Sequence, residues 1–385
     1  MKIVLTIWRL FPNEKRVVYG GAQKVLINIA NYYSSLGHDV FIITHQDVIS
    51  SYKTIVDISE KVKVIIVYPE NVRNNKLENL ILLLDRYFPS FRFRISFYKS
   101  IIDGYYNRIN TIKPNIVVSF LSGPFTFLDY KGMLKKNNVK YIIAYRDDPR
   151  VAMINPYNKY FLKKSLHHCF RIFIQVREFI KFFPITVHEK VRIIPNSLES
   201  KPFHYSDNKS NIILSVGRLY RQKNHSLIIE SFSRIASKHP DWMLYIVGSG
   251  PANEKSKLID ICKKTNLGNR IQLYDESNEI EQYYKESKIF ALASFHEGFS
   301  NALLEAMSFG LPSIVIDQCI SNSDIVSNGK FGIVSSNDKL TFANDLDFLI
   351  RNENERLAFE KNAFEYVKNF KSDKIYKLWL EYLDN

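Results

Sequence analysis

Short apolar runs alternate with longer amphipathic stretches along nearly the whole chain. In the first half, the apolar runs predict strands at residues 3–7, 39–44, 62–67, 116–120, 140–144 and 171–175. In the second half, they predict strands at 212–216, 243–247, 271–273, 289–293, 313–316 and 332–334. Helical stretches, notably 22–36 and 91–109, follow several of these runs. This alternation is typical of βαβ units and parallel sheets, so we predict an α/β protein.

The chain of 385 residues is longer than a single hydrophobic core usually organises, so two domains are expected. The strand pattern starts again after Ile-Ile-Pro-Asn-Ser at 193–197 and the polar stretch at 199–210, which together are the best candidate linker. We therefore predict two Rossmann-like, doubly wound domains that face each other across a cleft, at 1–198 and 199–366. A last helical pattern starts at 345, is interrupted near 370–373 and continues to the end of the chain.

Composition places the chain among globular proteins. Its residues are 46% hydrophobic and 24% charged, which excludes a disordered chain. No apolar run approaches the roughly 18 residues that cross a bilayer, and residues 1–7 lack a signal-peptide cleavage site, so we interpret them as the first strand. The three cysteines are far apart and lack the spacing of metal ligands. We therefore expect a cytoplasmic protein without a disulfide framework.

Positive charge is concentrated in the first half of the chain. Residues 1–200 carry 30 Lys and Arg against 15 Asp and Glu, whereas the remainder carries 23 against 24. Within the first half, residues 85–108 interleave basic side chains with Phe and Tyr. This composition suits an anionic membrane surface, so we expect peripheral binding to the inner face of the cell membrane. A helix with a solvated basic face is the alternative, and single-stranded nucleic acid is not expected as a partner.

Two carboxylates separated by seven residues follow the predicted strand at 289–293. Glu297 lies just past the carboxyl end of that strand, Ser300 is a candidate cap for a helix at 302–309, and Glu305 lies one turn into this helix. Ligands of parallel sheets bind beyond strand carboxyl ends, and helix N-termini attract phosphate. Ionised carboxylates only accept hydrogen bonds, which suits hydroxyl-rich sugar and ribose rings. The alternative is a surface loop followed by an ordinary helix.

A cationic pair follows the first strand of the second half. Arg218 emerges at the carboxyl end of the strand at 212–216, and Lys223 lies in the loop before a helix that begins near His225. Arg offers a planar fork to phosphate oxygens and Lys a compact charge, so together they can neutralise a leaving diphosphate. An exposed basic turn is the alternative.

Glycines mark two further turns at strand ends. Gly20 and Gly21 open the first predicted helix, where small residues let a ligand approach the backbone closely, although a tight turn alone would also explain them. Gly248 begins a Gly-Ser-Gly-Pro turn that lacks the third glycine of a dinucleotide fingerprint, so we reject an NAD site. We expect this turn to line a base pocket that Tyr274 and Ile280 complete.

A charged turn with Arg146, Asp147 and Asp148 follows the predicted strand at 140–144. Two adjacent aspartates do not point the same way, and we expect no metal site. We predict a loop that faces an acceptor or a sugar, with a salt-bridged turn as the alternative. His167 and His168 fall in a helical stretch and are interpreted as structural.

Taken together, Gly-Gly-Ala at 20–22, Gly-Arg-Leu at 217–219 with Lys-Asn at 223–224, and the segment 297–305 resemble the retaining GT-B glycosyltransferases of family four. The resemblance extends over nearly the whole chain, is most specific at 211–334 and is weak at 45–135. The second domain most resembles bacterial enzymes that extend lipid-linked oligosaccharides. The resemblance implies an acceptor-binding first domain, a donor-binding second domain, and a C-terminal helix at 367–385 that packs back on the first domain.

The resemblance assigns roles around a nucleotide-sugar donor. Arg218 and Lys223 would hold the diphosphate, Glu297 the sugar hydroxyls and Glu305 the ribose hydroxyls, while Gly21 would lie near the phosphates and the acceptor. Of these, Glu297, Arg218 and Lys223 are the expected catalytic residues. The remaining expected donor-binding residues are Gly248, Tyr274, Ile280, Phe299, Ser300, Asn301, Ala302 and Leu303, of which 300–303 would cap the distal phosphate through backbone amides. The expected acceptor-facing residues are Gly20, Arg146 and Asp147.

The implied function is transfer of a hexose or N-acetylhexosamine from a UDP-sugar to a growing, polyprenyl-diphosphate-linked glycan, with retention of configuration and without a metal or cofactor. In the mechanism that the resemblance implies, the departing phosphate deprotonates the acceptor hydroxyl. Catalysis is then leaving-group stabilisation plus alignment. The alternatives are another GT-B-shaped enzyme, such as a nucleotide-sugar epimerase, and a non-enzymatic, membrane-docked binding subunit.

The chain departs from that family's pattern at three places. Arg146 stands where many relatives have a histidine, so no catalytic histidine is transferred. Ser300 stands where proline is common. Ser323 and Asp324 replace the usual Gly-x-x-Glu segment near the donor sugar.

Overall fold

A computed structural model describes residues 1–7, 10, 21–45, 58–67, 91–120, 139–154, 165–198, 209–277 and 279–384. Contacts divide the chain into two compact units. The first unit comprises Met1–Ile174, Ile180–Ile194 and Leu378–Asn385, and the second comprises Gln175–Phe179 and Pro195–Lys377. The main segment of the second unit begins at Pro195, before the predicted boundary at 198, and ends at Lys377, after the predicted boundary at 366.

The described residues of the first unit form a parallel sheet of seven strands. These are β1 (Lys2–Ile7), β2 (Asp39–His45), β3 (Lys63–Val67), β4 (Ile116–Phe120), β5 (Lys140–Ala144), β6 (Arg171–Ile174) and β7 (Val191–Ile193). Their order is β3-β2-β1-β4-β5-β6-β7, and each neighbouring pair is parallel. The six predicted strands are confirmed, but β7 was not predicted because Val191–Ile193 is too short a run to distinguish a strand from the linker that follows it.

The described residues of the first unit include three helices, namely α1 (Gly21–Ser35), α2 (Phe91–Ile112) and α3 (Pro149–Ile154). The first buries Leu26, Ile29 and Tyr33, which recur at helical spacing. The first two confirm the predicted helices at 22–36 and 91–109.

In the second unit, the residues that the structure describes form a parallel sheet of six strands. These are β8 (Ile212–Val216), β9 (Met243–Val247), β10 (Ile271–Tyr274), β11 (Ile289–Leu292), β12 (Ser313–Ile316) and β13 (Gly332–Ser335). Their order is β10-β9-β8-β11-β12-β13. The order reverses between β8 and β11, and such a switch point is where parallel sheets bind ligands. Since both sheets have the strand order of a Rossmann fold, two doubly wound α/β units are confirmed.

Helices cover the second sheet and continue to the end of the chain. They are α4 (His225–Ile235), α5 (Ala252–Lys264), α6 (Ile280–Glu286), α7 (Asn301–Ser308), α8 (Ile320–Ile325), α9 (Lys339–Arg351), α10 (Glu353–Val367) and α11 (Ser372–Asp384). In place of the predicted helical start at 345, Asp338 caps α9 by accepting hydrogen bonds from the N–H groups of Leu340 and Thr341. A further break falls at Asn352.

The end of α11 packs within the first unit. Trp379 is fully buried, stacks on Phe120 at 5.5 Å between ring centroids and meets Phe173 edge-on at 5.0 Å. These contacts anchor residues 378–384 to the first sheet through large apolar surfaces. Within the described ranges, no helix combines the length and the apolar character needed to cross a membrane.

Candidate active site

The loops that follow β8 and β9 lie against each other at the carboxyl end of the second sheet. Gly217 donates its N–H to the Val247 carbonyl at 3.0 Å, and Leu219 donates its N–H to the Ser249 carbonyl at 2.9 Å. A Cβ atom on Gly248 would overlap the carbonyl oxygen of Gly217. Glycine is therefore required at 248 by the close approach of two backbones, which brings this turn beside the loop of Arg218 and Lys223.

Lys223 and Glu297 meet at the switch point between β8 and β11. Lys223 Nζ lies 2.5 Å from Glu297 Oε1, and their side chains are 11% and 13% exposed. Two hydrogen bonds, one between backbone groups and one from a side chain to a backbone carbonyl, fix the loops that carry them. Phe295 donates its N–H to the Gln222 carbonyl at 2.9 Å, and Gln222 Nε2 donates to the His296 carbonyl at 2.6 Å. The cationic and anionic halves of the predicted site are thus in direct contact.

Neighbouring groups shape the surroundings of this ion pair. Ser321 Oγ donates to the Glu297 carbonyl at 2.8 Å, so the start of α8 fixes the backbone of the glutamate. A Cβ atom on Gly217 would lie 3.3 Å from Lys223 Cδ and Cε, so this glycine leaves room for the lysine stem. Arg218 is exposed, and its guanidinium lies 5.3 Å from the ring centroid of Tyr220.

His225 begins α4 behind Lys223 and is buried. Its Nδ1 lies 3.2 Å from Ser215 Oγ. Burial, helped by the charge of Lys223, lowers the pKa of His225 to about 4. The imidazole is therefore neutral at physiological pH and adds no charge to the site.

The N-terminus of α7 is open. Ser300 occupies the N-cap position, but its side chain accepts no hydrogen bond from the helix, so the predicted side-chain cap is wrong. The first helical hydrogen bond runs from the Leu304 N–H to the Ser300 carbonyl at 3.2 Å. Among the residues that the structure describes, the N–H groups of Asn301, Ala302 and Leu303 have no acceptor. With no acidic residue in its first turn, this end of the helix suits an anion.

Glu305 is oriented by Tyr284, a residue that sequence reasoning missed. Tyr284 is buried in α6, stacks on Phe309 at 5.4 Å, and donates to Glu305 Oε2 at 3.1 Å. Its hydroxyl also lies 3.3 Å from the Ala302 carbonyl. Burial, followed by the charge of Glu305, raises the pKa of Tyr284, so the hydroxyl stays protonated and donates. The link between 284 and 305 is not visible in the sequence because it joins different helices.

The residues expected to line a base pocket are partly brought together. Gly248 donates its N–H to the Tyr274 carbonyl at 3.0 Å. The Tyr274 ring lies 5.1 Å from the Tyr245 ring and 5.2 Å from the Tyr283 ring. Ile280 is the first residue of α6 and is half-buried.

The side chains of two expected donor-binding residues pack in the core, although Leu303 was expected to bind through its backbone amide alone. Phe299 is 8% exposed and lies 5.8 Å from the Phe370 ring, and Leu303 is fully buried. Only the backbone groups of these two residues are available to a ligand. Apolar side chains in a motif that precedes a helix pack inward, which the spacing of the motif could have indicated.

Arg146 is buried within the first unit, which corrects the expectation of an acceptor-facing side chain. Its Nη1 donates to the Ile194 carbonyl at 2.8 Å, and its guanidinium lies 4.6 Å from the Trp379 ring. Burial lowers the pKa of Arg146 to about 9. The sequence could not reveal the contact with Trp379, because the two residues lie more than 200 positions apart along the chain.

The rest of the charged turn matches the salt-bridged alternative. Asp148 is buried and its Oδ2 lies 2.6 Å from Arg150 Nη2. Asp147 is exposed, and its Oδ1 accepts the N–H of Asp148 at 2.8 Å.

The other predictions in the first half are described only in part. Gly21 is exposed and begins α1, whose first turn contains no acidic residue. Gly20 lies outside the described residues, as do residues 85–90 of the basic and aromatic segment. Tyr105, from the same segment, is buried and donates its hydroxyl to the Ile7 carbonyl at 3.0 Å, so part of the aromatic set serves the core.

A search of the described side chains finds no group of three or more His, Cys, Asp or Glu that could hold a metal ion. Cys169 and Cys319 are buried, Cys262 is half-buried, and all three are free thiols.

Comparison with known proteins identifies relatives of this chain. Residues 197–366 match the family described as glycosyl transferases group 1. The amylovoran biosynthesis glycosyltransferase AmsD of Erwinia amylovora is 28% identical over 193 residues, which are 48% of this chain and 54% of that protein. The N-acetylgalactosamine-N,N'-diacetylbacillosaminyl-diphospho-undecaprenol 4-alpha-N-acetylgalactosaminyltransferase of Campylobacter jejuni is 30% identical over 176 residues, 46% of this chain and 47% of that protein. The chain thus aligns with about half the length of these relatives.

Solved structures extend the likeness to both units. HepE from Anabaena, solved in complex with UDP, superposes on this chain with a TM-score of 0.75 at 15% identity. The superposition covers 100% of this chain and 100% of HepE. At this identity the likeness shows the fold alone. The match of residues 197–366, together with this fold, confirms the resemblance to the GT-B glycosyltransferases of family four. Residues 197–366, which are less than half of the chain, are thus similar to the glycosyl transferases group 1.

Proposed function

We propose that this protein is a retaining glycosyltransferase that moves a hexose or N-acetylhexosamine from a UDP-sugar to a polyprenyl-diphosphate-linked glycan of the cell surface. The observation that carries the proposal is the 2.5 Å contact between Lys223 and Glu297 at the switch point of the second sheet. A cation for the leaving diphosphate and a carboxylate for the sugar hydroxyls are thereby joined at one point.

The open N-terminus of α7 supports this assignment. Its free N–H groups and the helix dipole favour the distal phosphate of a nucleoside diphosphate. Lys223 and the exposed Arg218 would neutralise the charge that develops on this diphosphate as the glycosidic bond to the sugar breaks. The positive charges of Lys223 and Arg218 would thus stabilise the diphosphate as a leaving group.

The two glutamates would hold the two ends of the donor. Glu297 would accept hydrogen bonds from the sugar hydroxyls, and Glu305, oriented by Tyr284, would accept them from the ribose. The turn at Gly248 with Tyr274 and Ile280 would receive the base. The departing phosphate would itself take the proton of the acceptor hydroxyl, so no side chain is required as a covalent nucleophile, and alignment supplies the remaining acceleration.

The nature of the acceptor is proposed from relatives and charge. The Campylobacter relative is named for a diphospho-undecaprenol substrate, and the Erwinia relative for amylovoran biosynthesis. The excess of basic residues in the first 200 positions would attract the protein to an anionic membrane that carries such a lipid. We therefore propose a cytoplasmic enzyme that binds the inner face of the membrane, with 1–198 as acceptor domain and 199–366 as donor domain.

The test is a donor panel. Purified protein is mixed in turn with UDP- and GDP-linked hexoses and N-acetylhexosamines and a polyprenyl-diphosphate saccharide, and the mass of the lipid product is recorded. We expect a gain of one sugar from one class of donor, with the anomeric configuration of the donor retained in the product by NMR.

Two variants and a control complete this experiment. Glu297→Ala and Lys223→Ala should abolish the mass gain, whereas Lys257→Ala, which removes an exposed lysine paired with Glu254, should leave it unchanged. Turnover of a nucleotide sugar without acceptor would favour an epimerase. Unaltered transfer by both site variants would refute the proposed site.

A further inference from the structure

A chain of three side-chain amides leads to the first residue of α7. Gln175 Nε2 donates to Asn196 Oδ1 at 2.8 Å, and Asn196 Nδ2 donates to Asn301 Oδ1 at 2.7 Å. Gln175 and Asn196 are 2% and 4% exposed, and Asn301 is half-buried. We call these three residues, all of which lie in the second unit, the amide chain.

The amide chain determines which end of the Asn301 carboxamide is available. A carboxamide has an oxygen that accepts hydrogen bonds and an NH₂ group that donates two. Because Asn196 Nδ2 occupies Asn301 Oδ1, the NH₂ group of Asn301 is left for a different partner. Within the described part of the chain it has no such partner. The amide chain therefore leaves a donor, not an acceptor, at the beginning of α7.

A second polar group at this helix end also lacks a partner. Ser300 is 2% exposed, and its buried Oγ forms no hydrogen bond with any described group. A buried hydroxyl without a partner is costly unless a ligand or water supplies one. This hydroxyl and the N–H groups of 301–303 are hydrogen-bond donors that no described group uses. The end of the helix therefore offers an anion several hydrogen bonds.

We propose that the amide chain positions Asn301 to donate from Nδ2 to the distal phosphate of a nucleoside diphosphate. Asn301 would touch the ligand, whereas Asn196, with Gln175 behind it, acts through Asn301 as a positioning residue. The proposal rests on the proposed function and deepens it, since it assigns a phosphate contact that the two glutamates and the cations do not supply.

The physical advantage is that the favourable orientation exists before the ligand arrives. An asparagine that is not held in place presents its oxygen as readily as its NH₂ group, and the oxygen repels a phosphate. Ordering a mobile side chain costs rotamer freedom. Because the amide is fixed before the ligand arrives, the binding step does not include this cost. Since Gln175 and Asn196 are buried, water does not compete for their hydrogen bonds.

The test compares a nucleoside diphosphate with its monophosphate by isothermal titration calorimetry, using UDP with UMP and GDP with GMP. Only the diphosphate contains the distal phosphate, so the ratio of the two dissociation constants isolates its contribution. The variants are Asn301→Ala, Asn196→Ala and the double variant. Asn337→Ala is the matched control, because exposed Asn337 joins Asn224 and Gln318 in a second chain of three amides.

We expect each single variant to reduce the preference for the diphosphate about tenfold, about 1.4 kcal/mol, with monophosphate affinity changed less than about threefold. The double variant should lose no more than Asn301→Ala alone, because Asn196 acts through Asn301. Asn337→Ala should bind as the wild type does.

Three results would overturn the proposal. If Asn301→Ala keeps the wild-type preference for the diphosphate, Asn301 does not contact the distal phosphate. This variant alone tests the contact if circular dichroism shows that Asn196→Ala does not fold. Additive losses in the double variant would show that Asn196 acts independently. A wild type that binds none of the four nucleotides would refute the proposed function together with the amide chain, whereas the first two results leave the proposed function intact.

Discussion

At the scale of single residues, Lys223 and Glu297 form an ion pair. In the proposed function, an incoming donor would share this pair. The ammonium group has three N–H donors, so it can keep Glu297 and still reach a phosphate oxygen. The carboxylate has the opposite effect on the diphosphate, because its negative charge competes for the lysine and repels the phosphates. Glu297 should therefore favour the sugar and oppose the nucleotide product.

Replacing Glu297 with Gln tests this division of roles. We expect kcat to fall about 100-fold, equivalent to about 2.7 kcal/mol, because the amide accepts more weakly from the sugar hydroxyls. UDP should bind as tightly as to the wild type or up to about tenfold more tightly, since Lys223 is released. Steady-state kinetics and calorimetry measure the two quantities. Weaker UDP binding with normal kcat would contradict the assignment.

His225 makes a second prediction at this scale, for stability as a function of pH. Its pKa is about 4 in the folded protein, compared with 6.5 for an ordinary histidine. The unfolded chain therefore binds a proton at a higher pH than the folded protein does. The stabilisation by neutral His225 is complete above pH 6.5, decreases as the pH falls towards 4, and changes no further below that.

Urea unfolding of the wild type and His225→Gln measures this effect. The wild type should lose roughly 3 kcal/mol more than the variant between pH 7.5 and pH 4, because glutamine does not titrate. Parallel pH profiles for the two proteins would show that His225 is not held neutral by the fold.

At the scale of secondary-structure elements, α6 and α7 act together because Tyr284 joins them through Glu305 and Phe309. Tyr284→Phe keeps the stacked ring and removes only the hydroxyl. We expect KM for the donor to rise about fivefold to tenfold, about 1 kcal/mol for one lost hydrogen bond, with kcat nearly unchanged. Unfolding by urea is the control for stability. An unaltered KM would mean that Glu305 does not bind the donor.

The elements are also where the sequence was most and least informative. Buried parallel strands such as β4 and β12 are nearly continuous apolar runs, so their predicted bounds agree with the structure. The strand β7 was not predicted, because its three residues are too short a run to be separated from the linker pattern that begins at Ile193. The amide chain was hidden for a related reason. Asn196 appeared only as part of a linker, and its partners are distant in sequence.

The residues of the candidate site were also predictable only where their position along the chain shows where they lie in the fold. Glu297 and Lys223 were predicted as site residues because each follows a strand end, where topology brings side chains together. Their direct contact, the hydroxyl of Tyr284 behind Glu305, and the burial of Arg146 against Trp379 depend on packing between separate elements. Such contacts are set by the three-dimensional arrangement and have no local signature in the sequence.

At the scale of the whole molecule, charge is distributed unequally along the chain. Residues 1–200 contain twice as many basic as acidic residues, whereas the remainder is almost balanced. We predict that the protein co-sediments with vesicles containing 30% anionic lipid at about 0.1 M salt and is released at about 1 M, where the Debye length falls from about 10 Å to about 3 Å. Neutral phosphatidylcholine vesicles are the control. Equal sedimentation with both vesicles at both salt concentrations would contradict an electrostatic attachment.

The most direct test of the central claim is the kcat/KM of sugar transfer for the wild type, Lys223→Met and Lys257→Met. Both substitutions remove one lysine charge from the same unit, but only Lys223 contacts Glu297. We predict that Lys223→Met lowers kcat/KM at least about 100-fold, while Lys257→Met stays within about twofold of the wild type. If Lys223→Met transfers sugar as efficiently as Lys257→Met, the ion pair at the switch point is not the donor site.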